Sequence, residues 1–155
     1  MLLYPLLLIY GFLAAGAALL LEVVFGGFIF PETTFPLIGA GFIVVAALIE
    51  EGSKWIFFRQ FHHRYHEHFT KSHPFTFGLL FGAGYAILEI LLIWLGFKSS
   101  STAFLPITGI LALHLLTSLF FAYYLFRLAK RVLHHTISLL LGMTVLHAAY
   151  NLFLV

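Results

Sequence analysis

The sequence predicts an all-α protein, a polytopic transmembrane helix bundle of about five spanning helices with its N-terminus inside. Two observations carry this reading. Hydrophobic residues make up 62% of the 155 and charged residues only 9%, and the mean hydropathy is +1.05, far from the balance of a soluble domain. The apolar residues also fall into five stretches close to the ~20 residues that cross a hydrocarbon core, joined by short polar connections. The whole of 1–155 then forms one integral-membrane domain solvated by the lipid bilayer.

The first stretch, 2–25, has no basic n-region, so it is expected to be a retained span and not a cleaved signal peptide. It is expected to lie at the periphery of a core formed by 35–155. The second, 35–58, contains "VVAALIEEGSKWIFF" at 44–58, which places Glu50, Glu51 and Lys54 inside a spanning segment. Gly52 and Ser53 beside them are expected to permit close helix approach. In the third, 75–96, Gly78, Gly82, Ala86 and Glu89 recur at i, i+4, i+8, i+11, a small-residue groove leading to a carboxylate. His114 lies in the fourth, 104–126, with Thr117 and Ser118 one turn away. In the fifth, 136–155, Thr144, His147 and Asn151 make one stripe at i, i+3, i+7.

The connections set the expected orientation. Residues 59–74 carry Arg59, Arg64, Lys71 and five histidines, and 127–135 carry Arg127, Lys130 and Arg131. The excess of Lys and Arg places both connections in the cytoplasm. A net charge of +2, scattered in this way, excludes nucleic acid as a partner. No cysteine is present, which removes disulfides, thiolate zinc sites and a cysteine nucleophile. The histidines of the connection (His62, His63, His66, His68 and His73) have spacings that can bind a metal, but a solvated, orienting loop accounts for them.

Depth brings the polar residues together. At ~1.5 Å per residue, Glu51 lies about 12 Å from the cytoplasmic edge and Glu89 about 21 Å past the start of its span. His114 and His147 each lie about 18–20 Å from the basic end of theirs. Four helices thus place an ionisable residue near one mid-membrane layer, where such groups are costly and mark function. Glu50 and Lys54 stand at i, i+4 with the acid first, the favourable order for a neutralising pair. Glu51 points about 100° away around the helix. Glu22, at the end of the first span, is expected at the outer interface and outside the site.

The ordered set Glu50-Glu51-x-x-Lys54, Phe81-x-x-x-Tyr85-x-x-x-Glu89, His114 and His147-x-x-x-Asn151 resembles the PrsW family of intramembrane proteases. That family is related to the CAAX-protease and bacteriocin-processing (Abi/CPBP) superfamily. The resemblance covers 40–155. The broader superfamily usually has a basic residue one position after Lys54 and a histidine where this chain has Glu89; the Lys and Glu variants are those of PrsW. The resemblance implies cleavage of a membrane protein or membrane peptide, in an integral protein of a prokaryotic cytoplasmic membrane. The substrate class it implies is an anti-sigma factor, or a prenylated C-terminus for the CAAX branch.

Hydrolysis in a water-poor site needs a base, oxyanion donors and a polar cavity. The expected catalytic set is Glu50, Glu51, Lys54, Glu89, His114, His147 and Asn151. Glu51 is the expected base, Asn151 and a histidine the oxyanion donors, and Glu50 with Lys54 the charge-balancing pair. Zinc is the cofactor to test, with His114, His147 and Glu89 as candidate ligands; the alternative is a metal-free glutamate mechanism. A non-catalytic reading, a proton-coupled carrier or an immunity-type partner, uses the same buried carboxylates and histidines. Absence of an inverted repeat and of a broken-helix signal argues against the carrier.

Overall fold

The computed structural model describes residues 3–29, 36–65, 67, 74–96, 104–127 and 133–154. They form five helices in chain order: α1 (Leu3–Ile29), α2 (Pro36–Tyr65), α3 (Pro74–Gly96), α4 (Phe104–Arg127) and α5 (Leu133–Leu154). Among the described residues there is no strand. Pro36 and Pro74 open α2 and α3, where a missing N–H costs nothing and the fixed φ suits the first turn. The helix α2 has 30 residues, about 45 Å, and runs past the expected end at 58 as far as Tyr65. Of the histidine-rich connection, His62 and His63 are therefore helical; His66, His68 and His73 lie outside the described residues.

Four helices (α1, α3, α4 and α5) are long and apolar enough to cross a membrane. The fifth, α2, matches them in length, but Glu50, Glu51, Lys54 and Arg59 interrupt its apolar run. Outward faces are the apolar ones: Trp94 is 71% exposed, Val145 68% and Phe153 88%. Inward, Glu51, Lys54, His114 and His147 are buried. This inside-out distribution belongs to a bundle that has lipid as its solvent.

The closest helix pairings are α1 with α2 and α3, α3 with α4, α2 with α4 and α5, and α4 with α5, and side chains of α2 also reach α3. On α2 the fully buried residues Glu51, Lys54, Phe58 and Phe61 follow 3–4–3 spacing and so share one inward face. The lower half of that face builds an aromatic layer. Phe58 meets Phe81 at 4.8 Å between ring centroids, Phe61 meets Tyr10 at 5.0 Å, and Phe77 meets Phe126 at 5.0 Å, mostly edge-to-face as aromatic quadrupoles favour. The upper half is polar.

Glycine sets how near the helices come. A Cβ on Gly78 would lie 2.6 Å from Leu119 Cα, and one on Gly82 2.6 Å from the His114 carbonyl oxygen. The expected groove therefore receives α4. A second, unanticipated contact joins α1 to α3, where a Cβ on Gly11 would strike the Phe81 carbonyl and one on Gly84 the Leu8 carbonyl. Gly52 has no such role: a Cβ there meets nothing within 4 Å.

Gly82→Ala is expected to destabilise the bundle by about 1–3 kcal/mol, because the methyl group meets backbone that cannot yield locally. Gly142→Ala, at a position open to 4 Å, is expected to be neutral or slightly stabilising. Thermal unfolding of both variants in detergent checks the contrast; equal midpoints would contradict the packing.

Candidate functional site

The four residues expected in one layer are joined by direct contacts. Lys54 Nζ donates to Glu51 Oε1 at 2.5 Å and to Thr117 Oγ1 at 3.2 Å. His147 Nδ1 bonds the same Glu51 Oε1 at 2.8 Å. With Glu51 already accepting from Lys54, the imidazole N–H is the donor. Across the cluster, His114 Nε2 bonds Glu89 Oε2. The two imidazole rings stand 5.4 Å apart, edge to face, and Tyr85 lies 4.7 Å from the His114 ring. Lys54 Nζ also sits 4.6 Å from the centre of the Tyr85 ring, within cation–π reach.

Lys54 takes a different partner from the one expected. An i, i+4 pair with Glu50 was anticipated, but the ammonium bonds Glu51 at i, i+3. Glu50 lies on the same side of α2 but reaches His147 on α5, while the ammonium takes Glu51 and Thr117. Glu50 is thereby released. Its Oε2 lies 3.5 Å from His147 Nε2 and has no hydrogen-bond partner among the described residues.

Glu50, His114 and His147 each offer one ligand-capable atom, all within 4.8 Å of one another. The converging carboxylate is thus Glu50 and not the anticipated Glu89. His147 also bonds Glu51 through Nδ1, and His114 bonds Glu89 through Nε2. Outer carboxylates of this kind fix the tautomer and orientation of metal-binding imidazoles. His114 Nδ1, in a side chain with no exposure, and Glu50 Oε2 are both buried and without a partner. Two histidines and one carboxylate suit zinc or a similar divalent ion. The residues present therefore fit a metal.

Asn151, one turn beyond His147 on α5, is half-buried and takes no part in these bonds. Glu22 was expected outside the site but lines a cavity together with Glu50, Tyr85 and Glu89. The Gly11 and Gly84 contacts bring α1 close enough to α3 for this. Glycine at 11 and 84 was the sequence signal available for it.

Lys54→Met is expected to cost about 3–5 kcal/mol, the scale for breaking a buried ion pair and leaving one charge unpaired. Adding Glu51→Gln should recover much of the loss, which a double-mutant cycle on unfolding in mild detergent would measure. Additive losses would show that the two side chains are not coupled. Compared with protein-family patterns, curated proteins and solved structures, the chain matches none.

Proposed function

We propose that the protein is an intramembrane endopeptidase of the PrsW type, hydrolysing a peptide bond of a membrane-associated protein with an activated water. The observation that carries the reading is the pairing of two histidines with two carboxylates around a third carboxylate, Glu50, in a buried layer of four helices. A passive bundle gains nothing from this arrangement, since apolar side chains fill such a layer at lower cost. The motif order that resembles PrsW supports the same conclusion, with the N-terminus on the cytoplasmic side.

Glu50, His114 and His147 would hold zinc. Bound there, zinc would supply Lewis-acid polarisation of the scissile carbonyl and lower the pKa of water. Glu51 and Glu89 hold the two imidazoles by hydrogen bonds. The part of base expected of Glu51 passes to Glu89 on this reading. Glu51 Oε1 is occupied by both Lys54 and His147 and the side chain has no exposure, whereas Glu89 lines the cavity, is 28% exposed and keeps Oε1 outside its bond to His114. Glu89 takes a proton from water and returns it to the leaving amine. Asn151 supplies an amide N–H to the developing oxyanion from one turn beyond His147.

Incubation of the purified protein with a library of membrane peptides, read by mass spectrometry, tests the activity. Glu89→Gln should abolish cleavage and retain zinc; Glu50→Gln and His114→Ala should lose both. No cleavage by the parent protein would overturn the reading.

Elemental analysis, on a variant with the loop histidines replaced to remove adventitious sites, should find about one zinc per chain. Full cleavage with well under one metal per chain, and no effect of a strong chelator, would remove zinc and make Glu50 the base acting on free water.

A further inference from the structure

A different cavity opens toward the C-terminal ends of α2 and α4, away from the polar layer. Its volume is about 580 Å³, within the range of sites that take small molecules. The α2 side of its lining is Trp55, Ile56, Arg59, Gln60, His62 and His63. These follow i, i+1, i+4, i+5, i+7, i+8 spacing and so make one continuous face of the helix. Leu125 of α4 closes the other side. Trp55 is half-buried and packs on α4, 5.5 Å from the Phe121 ring and 5.8 Å from that of Tyr124 between centroids.

The lining changes character along its length. Leu125 falls within Ile107–Phe126, the part of α4 that is apolar and long enough to cross a membrane. On α2 the apolar run ends at Phe58, and Arg59, Gln60 and His63 beyond it are exposed. The cavity therefore straddles the level where hydrocarbon gives way to water, with an indole at the place where interfacial aromatics collect. Charge narrows the occupant further. Among the described residues no carboxylate lines the cavity, and Arg59 enters no ion pair. A guanidinium offers a planar fork of donors that matches a phosphodiester. Choline or ethanolamine would bring an ammonium for which this lining holds no opposite charge, whereas a headgroup hydroxyl can bond the Gln60 amide. A soluble phosphate would use Arg59 and leave Trp55, Ile56 and Leu125 uncovered; acyl chains cover them and continue into the bilayer.

We infer that this cavity is a docking site for an anionic phospholipid with a hydroxyl-bearing headgroup, of the phosphatidylglycerol kind, its phosphodiester on Arg59 and its acyl chains against Trp55 and Ile56. The inference does not rest on the protease reading. Basic pockets between spans take such headgroups where the leaflet is anionic, and the sequence expects this end of the bundle in the cytoplasm. A lipid seated here bridges α2 and α4, the two helices that Lys54 and Thr117 join higher in the bundle.

The chain holds two tryptophans, so Trp94→Phe, at an exposed position of α3, leaves Trp55 as the sole indole and a reporter inside the cavity. Phosphatidylglycerol brominated on its acyl chains, titrated into detergent micelles of this variant, should quench Trp55. Half-quenching should need a mole fraction at least about fivefold lower than with brominated phosphatidylcholine, the discrimination of one basic residue at an anionic surface. Adding Arg59→Gln should bring that ratio to near one; Arg59 is exposed, so the bundle core is untouched. Adding Arg64→Gln instead removes an exposed charge of the same helix outside the cavity and should leave the ratio unchanged. Equal quenching by the two lipids, or equal losses in the Arg59→Gln and Arg64→Gln variants, would overturn the docking site and leave general attraction to a basic surface. Inorganic phosphate and glycerophosphoglycerol, each at the half-quenching concentration of the lipid, should not relieve the quenching. Relief by either would make the cavity a site for a soluble anion and overturn the lipid assignment.

Discussion

Everything in the polar layer depends on the Lys54–Glu51 ion pair. Taking two charges out of water is expensive, and mutual attraction offsets that only when the remaining donors and acceptors are also used. Here each partner reaches beyond the pair. Glu51 Oε1 also accepts from His147 on α5, and Lys54 Nζ donates to Thr117 on α4 and lies over the Tyr85 ring of α3. One pair on α2 thus touches the three helices that carry the rest of the site. If any of them moved away, a charge would be left short of partners in an apolar medium, and so the pair also fixes where His114 and His147 stand.

Much of this was legible in the sequence. Apolar runs of spanning length fix the five helices, because lipid tolerates no other open arrangement of backbone polar groups. Depth along each helix puts Glu51, Glu89, His114 and His147 in one layer without any reference to packing. The choice of carboxylate for Lys54 was harder, since i+3 and i+4 both lie within reach. What accompanies it is what the other helices offer: Thr117 on α4 and the Tyr85 ring on α3 receive the Lys54 ammonium, and His147 on α5 lies beside Glu50. Those partners come from other helices, and no local pair rule contains them.

Glu22 illustrates a signal of a different kind. Judged by its place along α1 alone, it belongs at the membrane interface. Its actual surroundings depend on how closely α1 approaches α3, and therefore on Gly11 and Gly84 meeting backbone on the opposite helix. The pairing of two helices far apart in the chain is not written in the periodicity of either. Gly52 makes the complementary point. A glycine beside buried charges suggests close approach, yet its side of α2 is open; only the contact itself distinguishes the two cases.

The unpartnered buried atoms are distributed unevenly, and their distribution bears on what the layer is for. Among the described residues, Glu50 Oε2, Glu51 Oε2 and His114 Nδ1 belong to the cluster, Glu22 Oε1 to a residue of the adjoining cavity, and Ser118 Oγ and Thr144 Oγ1 lie one turn from His114 and His147 on their helices. A bundle shaped for stability alone would place leucine or phenylalanine at these positions, as it does one layer below. Each orphaned group in a low-dielectric layer carries a desolvation cost with no compensating bond. That cost is concentrated where two histidines are already held in fixed orientations by Glu51 and Glu89. Fixed donors combined with unmet valences describe a site that is organised before its ligand or substrate arrives, which is the condition under which interactions made late in a reaction lower its barrier.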